Sequence, residues 1–479
     1  RGMALASGAT GNLDAEDREP LLDKVEDGPG HVQEKPAPPP RSSRLESLDI
    51  FRGWTIFIMI FVDDCGDAYP SIDHSPWNGM TFADLAEPFF NFIVGTSIAI
   101  VFKRAGTPNG PTRRDLLQKA VVRFFKLFIL GVLTQGGVTL VQFDMSTIRY
   151  MGVLQRVAVC YIVAAVVELA VPPKPANGPF RVYKACAWQW ATFLAISVVY
   201  IVIMYGTYVP GCGYGHLTPR CNVQSYVDKL LLTPPHMYDE PTYLRLPECS
   251  ACAPGYCNKT GVPSWCYWDG FCPDDIQAQH PEWCEPHFDP EGFISSVSAP
   301  LSAILGLQFG HVLTMSLPTD DRYRLVEWSR LTVASLVFGL VFHFSGFQPL
   351  NLNLYSLSTV LVEGAIGGGF LVAFYAAVDA RYLPEKLRLL FQHLLSPFSW
   401  AGKNAIFIYT MAAADVFESV QAFFYWKYEG NDLIHLIQRR LFKSWLSDAP
   451  ATLLFVLCKI AFWFAVAGVL HHRKWYWKI

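Results

Sequence analysis

The sequence predicts an all-α fold, a polytopic transmembrane helical bundle of about ten spans with a disulfide-rich loop on the non-cytosolic side. Three observations carry this. Hydrophobic residues make up 52% of the chain. Charged residues are only 16%, against roughly 25% in a typical globular protein. The apolar residues also gather in blocks of about 20, the length that crosses a hydrocarbon core of about 30 Å. The same composition excludes a wholly disordered chain, and a net charge of -3 leaves no basic footprint for nucleic acid.

Residues 1–43 are a separate material, rich in Gly, Pro, Asp and Glu and too polar to bury a core, so they read as a disordered cytoplasmic tail. The tail contains DREPLL (Asp17 to Leu22), the pattern of an acidic dileucine sorting signal for lysosomes or vacuoles. With no secretory signal before it, the first apolar block is expected to serve as the membrane-targeting segment. Residues 44–479 form the transmembrane domain, with spans expected at about 48–65, 84–102, 120–140, 150–170, 185–208, 293–315, 331–346, 355–378, 399–421 and 450–470. Alternate loops then sort by charge. One set carries Lys103, Arg104, Arg113, Arg114, Lys174, Arg181, Arg322, Arg324, Arg381 and Lys386, whereas Arg149 is the sole cation between spans three and four. Cytoplasmic loops hold the Lys/Arg excess, which puts both termini in the cytoplasm. The basic segment LIHLIQRRLFKSWL (Leu433 to Leu446) dissents from that pattern and reads as an amphipathic interfacial helix.

The loop from 209 to 291 holds Cys212, Cys221, Cys249, Cys252, Cys257, Cys266, Cys272 and Cys284, together with the sequon Asn258-Lys259-Thr260. Cys249-x2-Cys252 with Cys257 would suit zinc, but no matching His spacing accompanies it. Topology makes the loop luminal, where disulfides persist, so a disulfide framework of undetermined pairing is expected and no metal.

Ionisable groups at membrane depth are costly and mark functional sites. The densest run, residues 61–90, supplies Asp63, Asp64, Asp67, Asp73, His74, Asp84 and Glu87 without one Lys or Arg. Carboxylates around a single imidazole raise its proton affinity and can fix its tautomer, which is how a general base is made. The alternative is a solvated loop in which Thr81-x-x-Asp84 merely caps a helix. Arg123 and Lys126, three apart on one side of span three, and Arg156 could hold phosphates at the opposite face, or could snorkel to the interface and pair with internal acids.

Six ordered blocks make the chain recognisable: RLESLDIFRGWTIFIMIFVDD (44–64), HSPWNGMTFADLAEPFFNFIVGTSIAI (74–100), MGVLQRVAVCY (151–161), DPEGFISSVSAPLSAILGLQFGHVL (289–313), PLNLNLYSLS (349–358) and AGKNAIFIY (401–409). Together they resemble the heparan-alpha-glucosaminide N-acetyltransferase family over everything from residue 44 onward except the interior of the Cys-rich loop. The resemblance implies a transmembrane enzyme that moves acetyl from cytosolic acetyl-CoA to the amine of a luminal amino sugar, in a lysosomal or vacuolar membrane, and it allows a homodimer. It places the family's catalytic His on His74 in HSPWNG and its Asp on Asp84. The active-site Asn of animal members, eleven residues before the His, is replaced by Asp63. An ionised Asp cannot donate to an oxyanion, so either Asp63 is protonated, or it orients His74, or another group donates. The shorter N-terminus and the cysteine-rich loop look closer to plant-type or protist members. In the family picture Arg123, Lys126 and Arg156 meet the CoA phosphates. Two rival readings share the composition: a proton-coupled solute transporter, and an O-acetyltransferase of a luminal glycan.

Overall fold

The computed structural model describes residues 45–477 except 67, 108–109, 135–144, 175–179, 247–248, 250–281, 285–286, 317–319 and most of 415–432. The N-terminal tail with DREPLL, the cysteines Cys252, Cys257, Cys266 and Cys272, and the sequon at Asn258 lie outside the described residues.

The described regular structure is helical. In chain order it comprises α1 (Glu46–Cys65), α2 (Ala86–Phe102), α3 (Arg113–Thr134), α4 (Val153–Ala170), α5 (Arg181–Ala185), α6 (Ala187–Gly206) and α7 (Val223–Leu231). There follow α8 (Ser295–Ser298), α9 (Pro300–Met315), α10 (Asp321–Phe344), α11 (Leu357–Phe374), α12 (Glu385–Lys403), α13 (Ala405–Ala413), α14 (Leu433–Ile437) and α15 (Asp448–His472). A helix overlaps every expected span, and seven described helical stretches are long and apolar enough to cross a membrane. The chain is thus a multi-pass membrane protein.

Three expected spans fall outside those seven, each for a reason written in its residues. Helix α1 carries Glu46, Asp49, Arg52, Asp63 and Asp64. Helix α3 carries Lys119, Arg123 and Lys126 along its length, beyond the Arg113, Arg114 and Asp115 of its first turn. The ninth span is divided at Asn404, between α12 and α13. Three boundaries also need correction, because α3 starts at Arg113 rather than 120, α10 at Asp321 rather than 331 and α12 at Glu385 rather than 399. The charged first turn of α10 looks like loop in sequence, but it is consumed internally. Asp320 accepts from the Tyr323 N–H at 3.1 Å, and Asp321 accepts from the Tyr375 hydroxyl at 2.7 Å. The segment expected to be one interfacial helix is a short α-turn, α14, followed by a π-turn at Gln438–Phe442, with Leu441 and Trp445 exposed.

Helix α9 is the centre of the bundle, since 83% of the stretch Ser295–Met315 is buried, whereas α6 and α10 are at 28% and form the rim that faces lipid. What lets α2 lie against α9 is the absence of two side chains. A Cβ on Gly95 would fall 1.8 Å from the Ala303 carbonyl oxygen, and one on Gly306 would fall 2.0 Å from that of Phe92. Small residues bring helices to backbone contact in a bilayer, where apolar side chains gain nothing over lipid. Thr96 Oγ1 uses the closeness to donate to the Gly306 carbonyl at 3.1 Å. Gly306→Ala should therefore lower the thermal midpoint of the detergent-purified protein, an overpacking cost of about 1–3 kcal/mol or more. Gly369→Ala, whose added methyl meets open space, should leave the midpoint where it is. Equal midpoints for the two variants would remove this account of the core.

Candidate active site

At one end of the bundle the C-terminus of α1 and the N-termini of α2, α4 and α11 converge, and the loop 66–82 folds back over them. A cleft of about 330 Å³ opens there, lined by Asp63, Asp73, His74 and Asp84 from the acidic run and by Arg149, Arg156, Arg245 and Glu291 from elsewhere. His74 Nδ1–H donates to Asp84 Oδ1 at 2.8 Å, which assigns the remaining lone pair to Nε2. Asp84 is 1% exposed, and its second oxygen accepts from Thr81 N at 2.8 Å, Thr81 Oγ1 at 3.1 Å and Ser75 N at 3.4 Å. The contacts from Thr81 and the contact to the imidazole are therefore made by one carboxylate. Asp73 accepts from the His74 backbone N–H at 2.6 Å and pairs with Arg245, which clamps the loop on the other side of the ring.

Burial opposes a charge on His74, but the hydrogen bond and charge of Asp84, then the charges of Asp73 and Asp63, leave its pKa above the usual value. Asp63 is exposed on the cleft wall, while orientation of the ring falls to Asp84. Glu291 shows the opposite balance. Burial pushes its carboxyl up, but Arg149 and then Arg156 bring it below the ordinary carboxylate range.

Arg156 belongs to this cleft and is 0% exposed, which corrects its expected grouping with Arg123 and Lys126. It sits in the first turn of α4, donates from Nη1 to Glu87 Oε2 at 2.8 Å and from Nη2 to Ser295 Oγ at 2.9 Å and to the Pro290 carbonyl, and packs over the Tyr355 ring. Charge alone does not say which end of a helix a residue occupies. Arg123 instead packs its guanidinium on the Tyr161 ring at 4.8 Å, and Lys126 is exposed on α3. Arg149, Asp289 and Glu291 went unassigned in the sequence. Arg149 donates to Asp289 Oδ1 at 2.6 Å and to Glu291. The available signals were that Arg149 is the lone cation of its loop and that DPEG directly precedes an apolar block.

A second cavity of about 570 Å³ lies at the other end of α2, with Lys103, Arg113, Lys174 and Arg181 in its lining. His311 Nε2 and Glu168 Oε2 form a buried pair at its wall, 2.9 Å apart. Helix α2 has 17 residues, so the cavities are separated by about 26 Å at 1.5 Å per residue.

Residues 44–203 match the family model described as "Heparan-alpha-glucosaminide N-acetyltransferase, catalytic". The heparan-alpha-glucosaminide N-acetyltransferase of Mus musculus is 29% identical over 465 residues, covering 91% of this chain and 61% of its own. That of Homo sapiens is 28% identical over 456 residues, covering 91% and 60%. Over that length the chain is similar to the heparan-alpha-glucosaminide N-acetyltransferases. It spans about three fifths of the length of those curated relatives. The region matched by the family model contains His74, Asp63, Asp84, Arg149 and Arg156, while Arg245 and Glu291 come from beyond it.

The electrostatics of His74 can be checked without turnover. Diethyl pyrocarbonate acylates only neutral imidazole, so modification of the His74 peptide, followed by mass spectrometry, should rise with pH through a midpoint above about 6.5. Asp84→Asn should move that midpoint down; a midpoint indifferent to the substitution would sink the coupling. Because Asp84 favours the protonated ring, its stabilising contribution is complete below the ordinary histidine pKa and fades as pH rises through the elevated one.

Proposed function

We propose that the chain is a transmembrane acetyltransferase that moves acetyl from acetyl-CoA, approaching from the cytoplasm, to the amine of an amino sugar on the luminal side of a lysosomal or vacuolar membrane. The observation that carries it is the His74–Asp84 pair, an imidazole with Nδ1–H committed to a buried carboxylate and Nε2 left as acceptor in the cleft, within the region matched by the acetyltransferase family model. Both termini are cytoplasmic on this reading, in keeping with the Lys/Arg bias of alternate loops.

Amide formation from a thioester needs a neutral amine, a base for its proton and a donor for the developing oxyanion. The amine nitrogen attacks the thioester carbon, His74 Nε2 takes the amine proton, and the carbon–sulfur bond breaks as the proton passes to the departing thiolate. Asp84 steadies the imidazolium between these events. Asp63, an acceptor where the family has a donor, faces the cleft as a charge that favours the imidazolium. The oxyanion donor is then assigned to Asn353, which lines the same cleft. Its Oδ1 accepts from Thr242 Oγ1 at 3.0 Å, so the amide nitrogen is the end that serves a substrate. The phosphates of the donor are assigned to the second cavity, with Lys103, Arg113, Lys174 and Arg181 replacing Arg123, Lys126 and Arg156. An extended pantetheine arm would run along α2 from the second cavity toward His74.

Purified protein given acetyl-CoA and glucosamine should release free CoA, measured with a thiol reagent, together with N-acetylglucosamine. His74→Ala should cost about 10²- to 10⁴-fold in kcat. Asn353→Ala should cost about 10²- to 10³-fold in kcat, while Arg113→Ala should raise the KM for acetyl-CoA. In wild type kcat/KM should climb with pH through the elevated His74 pKa, and the acid limb should shift to lower pH in Asp84→Asn. The reading fails if wild type releases no CoA with any amine or hydroxyl acceptor. Stoichiometric CoA release with acetate as the only product would also count against it.

A further inference from the structure

The last turn of α1 holds two consecutive carboxylates, Asp63 and Asp64, and no basic residue. That is the negative pole of the helix, where an acid is disfavoured. Only Asp63 of the two belongs to the lining of the His74 cleft. Asp64 turns the other way and meets Lys459 of α15, whose Nζ donates to Oδ1 at 2.9 Å and lies 2.8 Å from Oδ2.

Lys459 is a costly residue to place there. It is the sole Lys or Arg among the 25 residues of α15, and its side chain is 3% exposed. Around it Val456, Ile460 and Trp463 pack with Ile56 and Ile60 of α1 in one apolar cluster. Apolar residues of similar volume fill such a site at least as stably as an ion pair, so a cation kept at this depth points to function.

What the pair does follows from where the end of α1 sits. Consecutive residues of an α-helix point about 100° apart, so a bond from Asp64 to α15 fixes the direction that Asp63 takes. The helix then stops at Cys65, and the Gly66 N–H donates to the Val62 carbonyl at 2.8 Å. Gly66 abuts the turn that carries the imidazole. A Cβ added to it would fall 3.1 Å from Asp73 Cγ, and Asp73 accepts from the His74 backbone N–H at 2.6 Å. The charged groups acting on or near His74 are Asp84, Asp73, Asp63 and Glu291, with Arg245 on Asp73. Tyr409 of α13 is a titratable neighbour of Asp63, and Cys65 is one of Asp64.

We propose that Lys459 is a positioning residue: by binding Asp64 it locks the end of α1 so that Asp63 faces His74 from the cleft wall. The imidazolium that forms when His74 takes the amine proton then meets a fixed carboxylate. Its part in turnover rests on the acetyltransferase reading, whereas the placement of Asp63 beside His74 does not.

Lys459→Met alone strands the Asp64 charge and can unfold the protein, so the test uses the paired variant Asp64→Asn with Lys459→Met, which removes both charges together. On the whole purified protein, acylation of His74 by diethyl pyrocarbonate is followed against pH. The midpoint should fall below that of wild type, by as much as it falls in Asp63→Asn, because Asp63 favours the imidazolium. Imposed on Asp63→Asn, the paired variant should move the midpoint no further, since both changes act through one carboxylate. With acetyl-CoA and glucosamine, kcat should drop about ten- to a hundredfold while the KM for acetyl-CoA holds. A midpoint equal to that of wild type, with or without a loss of thermal stability, overturns the positioning role and leaves a purely structural pair. A shift that adds in full to that of Asp63→Asn overturns it as well. If wild type releases no CoA, the acetyltransferase reading falls, and the His74 midpoints still decide whether Lys459 places Asp63.

Discussion

The structure depends on one buried charge pair, Arg156 with Glu87. Both groups lie inside the bundle, with side chains 1% and 9% exposed, where an isolated charge would be prohibitive and the removal of one partner typically costs about 3–5 kcal/mol. The pair is tolerated because it is saturated. Arg156 also donates to Ser295 and the Pro290 carbonyl, and Glu87 Oε1 accepts from Asn91 Nδ2 at 3.3 Å. Asn91 Nδ2 also donates to the Tyr355 hydroxyl at 3.1 Å, which lies 3.1 Å from Ser302 Oγ. Four helices, α2, α4, α8 and α9, and the turn of Tyr355 just before α11 are thereby tied by polar contacts at the floor of the cleft. Non-polar packing in lipid fixes helices weakly in register; a cation on α4 hydrogen-bonded to α2 and α8 fixes them well.

That floor permits the layer above it to be made of loops. The segment carrying His74 is anchored by Trp77, with Ile72, Met80 and Phe82 packed beside it, and by hydrogen bonds within itself and to other loops. Ala83 N donates to the Ile72 carbonyl at 3.0 Å, Gly79 N to the Leu350 carbonyl at 2.9 Å, and Trp77 Nε1 to the 209–222 segment. Each loop is therefore a support for the next, and all of them stand on helix ends that the Arg156 pair holds in place. Functional groups on loops over a rigid scaffold are a common economy of design, because the chemistry can vary without disturbing the core.

How much of this was legible follows from which signals are local. The His74–Asp84 relation could be read because the partners stand ten positions apart in one acidic run, and the block lengths of the spans could be read because lipid imposes them residue by residue. The early start of α10 was not readable, since its first polar residue is satisfied by a group distant in the chain, Tyr375 for Asp321. Arg156 was misgrouped for the same reason. Its sign matched Arg123 and Lys126, but its partners Glu87 and Ser295 lie 69 and 139 residues away. Two cysteine pairs, Cys212–Cys221 and Cys249–Cys284, likewise answer a pairing that spacing left open.

The two ends of the bundle differ in a way that composition averages out. The cleft balances Asp63, Asp73, Asp84, Glu240 and Glu291 against three arginines, so its charges are spent largely on one another and on shaping His74. The second cavity gathers four cations in its lining around the single acid Glu168, which already faces His311 and accepts from Gln189. A surplus of cations with no matching acids suits a ligand that brings its own negative charge. A balanced, hydrogen-bonded cleft suits chemistry in which charge appears only in passing. Placed a helix length apart, the two environments would let the proposed acetyl transfer proceed without the anion entering hydrocarbon. Only a neutral acyl group at the end of a slender arm would then have to reach the histidine, and that is the species for which the low-dielectric interior presents the smallest barrier.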